Sequence, residues 1–164
     1  LNVSGYGDPS YVDHVMRYVG ITFRGGTNPN FNNLEAGVTK NPYAQAGLYG
    51  QCTWFDWGRF YELYGYDPGF SGDGSSCVKE LVAAHPDKFE RSSSPKAGAV
   101  FSAIGHNHVW IVIAVKDNTI TVQEGNLDGI TNTFQDAKKD WQTKSYTLDQ
   151  LRSIYGGVVF ANPK

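Results

Sequence analysis

From Thr53 to Tyr64 the chain reads TWFDWGRFYELY, and Trp54, Phe55, Trp57, Phe60, Tyr61 and Tyr64 would nearly surround a helix of that length. Such a helix is predicted to be central and buried. Upstream, within residues 5–20, Asp8 can cap, Pro9 suits the first helical position, and Val12, Val15, Met16 and Val19 have helical spacing, so a short amphipathic helix is predicted. Downstream, Ser76 is placed to cap a helix running through Ala84, with Val78, Leu81 and Val82 inward and the His85-Pro86 step ending it. Residues 91–96 read as a loop. The period then changes: residues 99–103, 109–115, 119–123 and 157–161 are short β-branched runs punctuated by Gly, Asp and Asn, which predicts strands. Thr147 with Gln150 forms a capping-box signature for one helical turn before the last strand. Helices first and antiparallel strands afterwards indicate an α+β domain.

Residues 25–51 are rich in Asn, Gly and Pro with little periodicity, as in a linker or a long surface loop. Three segments are therefore expected: 1–24, an N-terminal helical extension or the tail of a preceding domain; 25–40, a linker; and 41–164, the main domain. Because the chain begins at Leu1 rather than Met, it is expected to be part of a longer precursor. A length of 164 residues suits one core. Fourteen basic against sixteen acidic residues, with no basic stripe, disfavour nucleic acid as a partner. No apolar run reaches the roughly 20 residues of a membrane span. An aromatic content of 14% favours a surface that grips something, carbohydrate being one candidate.

Cys52 stands between a Gly-containing loop and the start of the apolar helix, where free backbone amides and the helix dipole favour a thiolate. Taken alone, a cysteine is more often a small buried hydrophobe. Cys77 has no such position and reads as structural or as half of an incidental disulfide. His14 and His85 read as surface residues. His106 and His108 lie where a loop enters the most apolar strand, and only His108 abuts it, so a rigid strand end would aim its imidazole. The His-Asn-His pair lacks further ligands at zinc-like spacing, so no metal is expected.

Glu124 and Asn126, at the end of a neighbouring strand, could each orient the imidazole. A two-residue turn at Asp117-Asn118 would put both on the face opposite His108. A longer turn or one bulge is therefore predicted, and the register then brings Asn126 diagonally closer than Glu124.

Tyr-Gly-Gln-Cys-Thr-Trp-Phe at 49–55, His-Val-Trp-Ile-Val at 108–112 and Glu-Gly-Asn at 124–126, in this order around an aromatic helix, resemble the CHAP domain (cysteine, histidine-dependent amidohydrolase/peptidase) over most of residues 41–162. The resemblance implies a papain-like α+β fold with N-terminal helices packed on an antiparallel sheet. It implies Cys52 as nucleophile, His108 as base, Glu124 as orienting group, Asn126 as a hydrogen-bonding assistant, and a share in the oxyanion site for Gln51. The implied activity is hydrolysis of an amide in the peptide of peptidoglycan, as an endopeptidase or N-acetylmuramoyl-L-alanine amidase, without a cofactor, at the extracellular Gram-positive cell wall.

Two features depart from the family pattern. The Gly-Asp common before the strand that precedes the histidine is replaced by Gly98-Ala99, and residues 41–51 lack the acids through which some phage members bind calcium, so no calcium requirement is expected. Residues 6–15 resemble the closing helix of lysozyme-like domains in TraG-type wall hydrolases of conjugative elements. That resemblance implies a parent protein, membrane-anchored or a phage lysin, that opens the wall locally during conjugation or lysis and meets other secretion-system components. Two alternatives stay open: a non-catalytic wall-binding module, and an NlpC-type peptidase acting on soluble muropeptides.

Overall fold

The computed structural model describes residues 40–127, 129 and 139–164. The helix expected within residues 5–20 and the linker up to residue 39 lie outside them. Helix α1 (Pro42–Gln45) starts where the Asn41 side chain accepts from the Tyr43 and Ala44 amides at 3.0 and 3.4 Å, and Pro42 takes the first position, which needs no amide donor. The apolar run forms α2 (Cys52–Tyr64). It ends at Gly65, whose φ of 83° sends its amide back to the Tyr61 carbonyl at 2.8 Å. A 3-10 turn, Gly74–Ser76, leads directly into α3 (Cys77–Ala84). Ser76 is thus already helical, and its side chain makes no capping bond, contrary to expectation.

Six antiparallel strands make one sheet in the order β1-β6-β2-β3-β4-β5. They are β1 (Phe89–Ser92), β2 (Val100–Ala103), β3 (His108–Lys116), β4 (Thr119–Gly125), β5 (Trp141–Thr147) and β6 (Val158–Pro163). Four match the β-branched runs; the two at the edges were not predicted. Arg91 and Ser92, read as the start of a loop, belong to β1 and pair with Ala161 and Phe160. Helix α4 (Leu148–Tyr155) carries the Thr147–Gln150 capping box, with bonds of 2.8 and 3.1 Å, but runs for eight residues rather than one turn.

The sheet is covered on both faces. Helices α2 and α3 bury Trp54, Phe55, Trp57, Phe60 and Leu81 against Val109, Ile111, Val159 and Ala161. Leu151 of α4 closes the other face over Phe101, Trp110, Val122, Tyr146 and Phe160. Alternation along β3 sends odd residues from Val109 to Ile113 toward α2, and Trp110 and Val112 away from it. The fold is α+β, with helices packed on an antiparallel sheet. Among the described residues no helix is long and apolar enough to cross a membrane.

Candidate active site

Cys52 is the first residue of α2, following Gly50 at a φ of 81° and Gln51 in extended backbone. Gln51 makes no side-chain cap, and the first turn of α2 contains no acidic residue, so nothing of the helix's own offsets the positive end of its dipole beside the sulfur. Cys52 is partly exposed and free, whereas Cys77 is free and buried, its thiol pushed well above the ordinary range by burial. The disulfide reading of Cys77 is therefore not realised. The start of α2 lies close on the end of β4: a Cβ added to Gly125 would stand 2.8 Å from that of Phe55. The glycine of Glu-Gly-Asn is where the helix needs space.

His108 opens β3 at the end of the sheet. The β3–β4 hairpin has the two-residue turn, with Lys116 opposite Thr119 and Asp117 at a φ of 52°, and it also has the bulge, between Val112 and Ala114. That extra residue changes the face. Ile111 then pairs with Gln123, which turns Gln123 toward α2, where it accepts from Arg59 Nε at 2.9 Å, and turns Glu124 to the side of His108. Glu124 Oε2 lies 2.8 Å from His108 Nε2, with side-chain exposures of 7% and 21%. Gln142 of β5 donates to the other Glu124 oxygen.

The register preference for Asn126 is overturned. Its side-chain oxygen is buried without a hydrogen-bond partner, its φ is 63°, and its backbone amide donates to Asp140 at 3.1 Å. The imidazole's carboxamide neighbour thus plays no part in its hydrogen bonding among the described residues, while the carboxylate does.

The Cys52 thiol stands near enough to the His108 ring to act on its charge. Trp110 edge-on at 5.2 Å and Tyr155 stacked at 6.2 Å fix its plane. Burial alone would lower the imidazole's pKa, but the bonds and charges of Cys52 and Glu124 outweigh it and push the pKa up to about 9. At neutral pH the ring is therefore an imidazolium paired with the Glu124 carboxylate. His106 is exposed, edge-on to Tyr155 at 5.4 Å, and His85 bonds the Asp67 carbonyl at 2.7 Å, so neither joins the site. Among the described residues no group of three or more His, Cys, Asp or Glu side chains could hold a metal ion.

Sequence reasoning missed Asp56. One helical turn after Cys52 and on the same side of α2, it is fully buried, and neither carboxyl oxygen has a hydrogen-bond partner. Burial pushes its pKa up to about 8 against the opposing pull of His108. The signal was an acid among the aromatic residues of the helix's first half, with no basic residue nearer than Arg59 in that helix. Arg59 and Glu62, which pair inside the same helix, and Gln142, which bonds Glu124, were missed as well. Gln142 had no signal of its own, because it comes to the site through strand pairing.

A partly exposed thiol at a helix start and, at the end of a central strand, an imidazole bonded to a carboxylate are the groups that thiol-dependent acyl transfer would use. The chain belongs to the CHAP domain family, whose model matches residues 39–126, more than half of its length. Among solved structures it is similar to an N-acetylmuramoyl-L-alanine amidase from Staphylococcus aureus, at 20% identity over 70% of this chain and 31% of that one, with a TM-score of 0.48. It is also similar to Ly7917, solved with the hydrolysing product of MDP, at 17% identity over 82% of this chain and 63% of that one, with a TM-score of 0.46. The chain thus spans about a third of the amidase and under two thirds of Ly7917. No curated protein matches it.

Proposed function

We propose that this chain is a peptidoglycan hydrolase domain that opens an amide bond of the cell-wall peptide through Cys52. The thiolate attacks the carbonyl carbon, and the oxyanion is held by backbone amides at the start of α2 with Gln51 beside them. The His108 imidazolium gives its proton to the departing amine, leaving a thioester on Cys52. Water then attacks the thioester carbon, its proton passes to His108, and a free carboxylate leaves as the thiolate returns. Glu124 keeps the ring's orientation and charge through this cycle. Asn126 contributes as a backbone anchor at the end of β4.

The observation that carries this reading is the His108–Glu124 hydrogen bond at the end of the sheet, with the imidazole's pKa raised by that carboxylate and by the Cys52 thiol at the start of α2. Family membership supports peptidoglycan as substrate and an extracellular place of work at the cell wall. For the parent protein, local wall opening during conjugation or phage lysis is supported by the resemblance of residues 6–15 alone. Replacing Cys52 with Ala is expected to reduce release of fragments from purified peptidoglycan by about a thousandfold or more while leaving the melting temperature close to wild type. Mass spectrometry of the wild-type fragments identifies the bond. Undiminished release by the Ala variant would exclude the thiolate mechanism.

A further inference from the structure

A cleft runs from Cys52 along the loop side of α2, away from His108's aromatic neighbours, lined by Ala46, Leu48, Gln51, Gly72, Asp73 and Asn107 among others. Its far wall, residues 71–74, is exposed at Ser71 and Asp73 yet tied down from behind. Tyr43 Oη donates to the Gly72 carbonyl at 2.7 Å, and Gly72 N donates to Glu80 at 3.1 Å. Ser102 Oγ donates to the Gly74 carbonyl at 2.7 Å, and Ser75 N donates to Asn107 Oδ1 at 3.0 Å. A loop held at four points is a preformed surface that loses little entropy on binding.

The charge of this cleft has one sign. No Lys, Arg or His lines it, and the Asp73 carboxylate, exposed on its rim, has no partner among the described residues. Glu80 stands just behind Gly72. The small residues Ala46, Gly72 and Gly74 leave space for a ligand side chain to reach the acid. We propose that this cleft holds the peptide next to the scissile amide, and that Asp73 selects a segment bearing a free ammonium over one whose amine is blocked or replaced by a carboxylate. This subsite rests on the hydrolase reading for its ligand, but its charge preference is a separate property.

The two can be tested apart with the Cys52→Ala protein, which binds without turnover. The probes are a synthetic stem tetrapeptide with a free lysine ammonium and the same peptide acetylated at that amine, titrated by calorimetry. The free amine is expected to bind about five- to tenfold more tightly, and Asp73→Asn to abolish that difference without shifting the melting temperature. Equal affinity for both peptides, absence of binding by either, or a preference that survives Asp73→Asn would overturn the subsite. Wall clearing by the native enzyme is scored independently. Clearing without the preference sinks the subsite alone; the preference without clearing leaves a binding cleft and removes the hydrolase.

Discussion

The two faces of the sheet carry different physics, and the reactive pair is assembled where they meet. On the α2 face, polar groups lie inside the apolar layer: Arg59 pairs with Glu62 and bonds Gln123, and neither Asp56 carboxyl oxygen has a partner among the described residues. Under α4, Trp110 stacks with Phe101 and Tyr146 at 5.1 and 5.3 Å and meets Tyr155 edge-on at 5.1 Å, an aromatic layer that sets the plane of His108. One face delivers a nucleophile and stores electrostatic tension beside it, while the other immobilises the base. A thiol and an imidazole from opposite faces can meet only at the end of the strands, which is where His108, paired with Ala103, begins β3.

Cutting the aromatic layer is expected to have the largest effect on folding. Trp110→Ala should cost about 3–5 kcal/mol, read as a lower denaturation midpoint at unchanged m-value, because a buried indole leaves a cavity at the centre of its face. Activity should fall further than the folded fraction does, since His108 loses its edge contact. If activity simply tracks the folded fraction, the aromatic layer does not orient the base.

The next effect tests the opposite face. Burial raises the folded pKa of Asp56 to about 8 from the ordinary carboxylate value of 3.8, so the unfolded chain binds fewer protons between those limits. Stability should therefore fall as pH rises from about 4 to about 8. Asp56→Asn keeps a buried polar group of the same shape but removes the charge. It should raise the melting temperature at pH 8 by about 5–10 °C and leave it little changed at pH 4. Equal shifts at both pH values would show that the carboxylate's ionisation is not the cause.

A smaller and more local change separates charge from hydrogen bonding at the meeting point. Glu124→Gln keeps a hydrogen bond to His108 and discards the negative charge, so kcat/KM should fall about 10- to 100-fold, and the alkaline limb of the pH–rate profile should move to lower pH. The sign follows from the raised imidazole pKa. The imidazolium's contribution to stability is complete below about 6.5 and is lost as pH rises through about 9; without Glu124 that loss comes earlier. An unmoved alkaline limb would assign the orienting role elsewhere.

Strands covered on both faces were legible because their runs are uninterrupted: Val-Trp-Ile-Val-Ile-Ala-Val at 109–115 allows no exposed side. The edge strands were not. Phe89–Ser92 and Trp141–Thr147 expose much of their length and show no apolar alternation, because an edge strand is held by a neighbour's backbone rather than by an apolar pattern of its own. At the site, Cys52 and His108 stood out through their places at a helix start and a strand start. Glu124 and Asn126 could be narrowed to a pair, with the resemblance pointing to Glu124 and strand register to Asn126, since diagonal distance across a pleat does not say which side chain is long enough to reach the ring.

The order of apolar and polar residues along this chain determined the buried aromatic helix, the central strands, the capping box and the position of a thiol at a helix N-terminus, all consequences of neighbours in sequence. Only the tertiary structure decided that Glu124 rather than Asn126 reaches His108, that buried Asp56 meets no donor among the described residues, and that a pinned loop makes a cleft beside Cys52. Those outcomes turn on a single extra residue between Val112 and Ala114 and on packing between distant segments, and neither leaves a periodic trace in the chain.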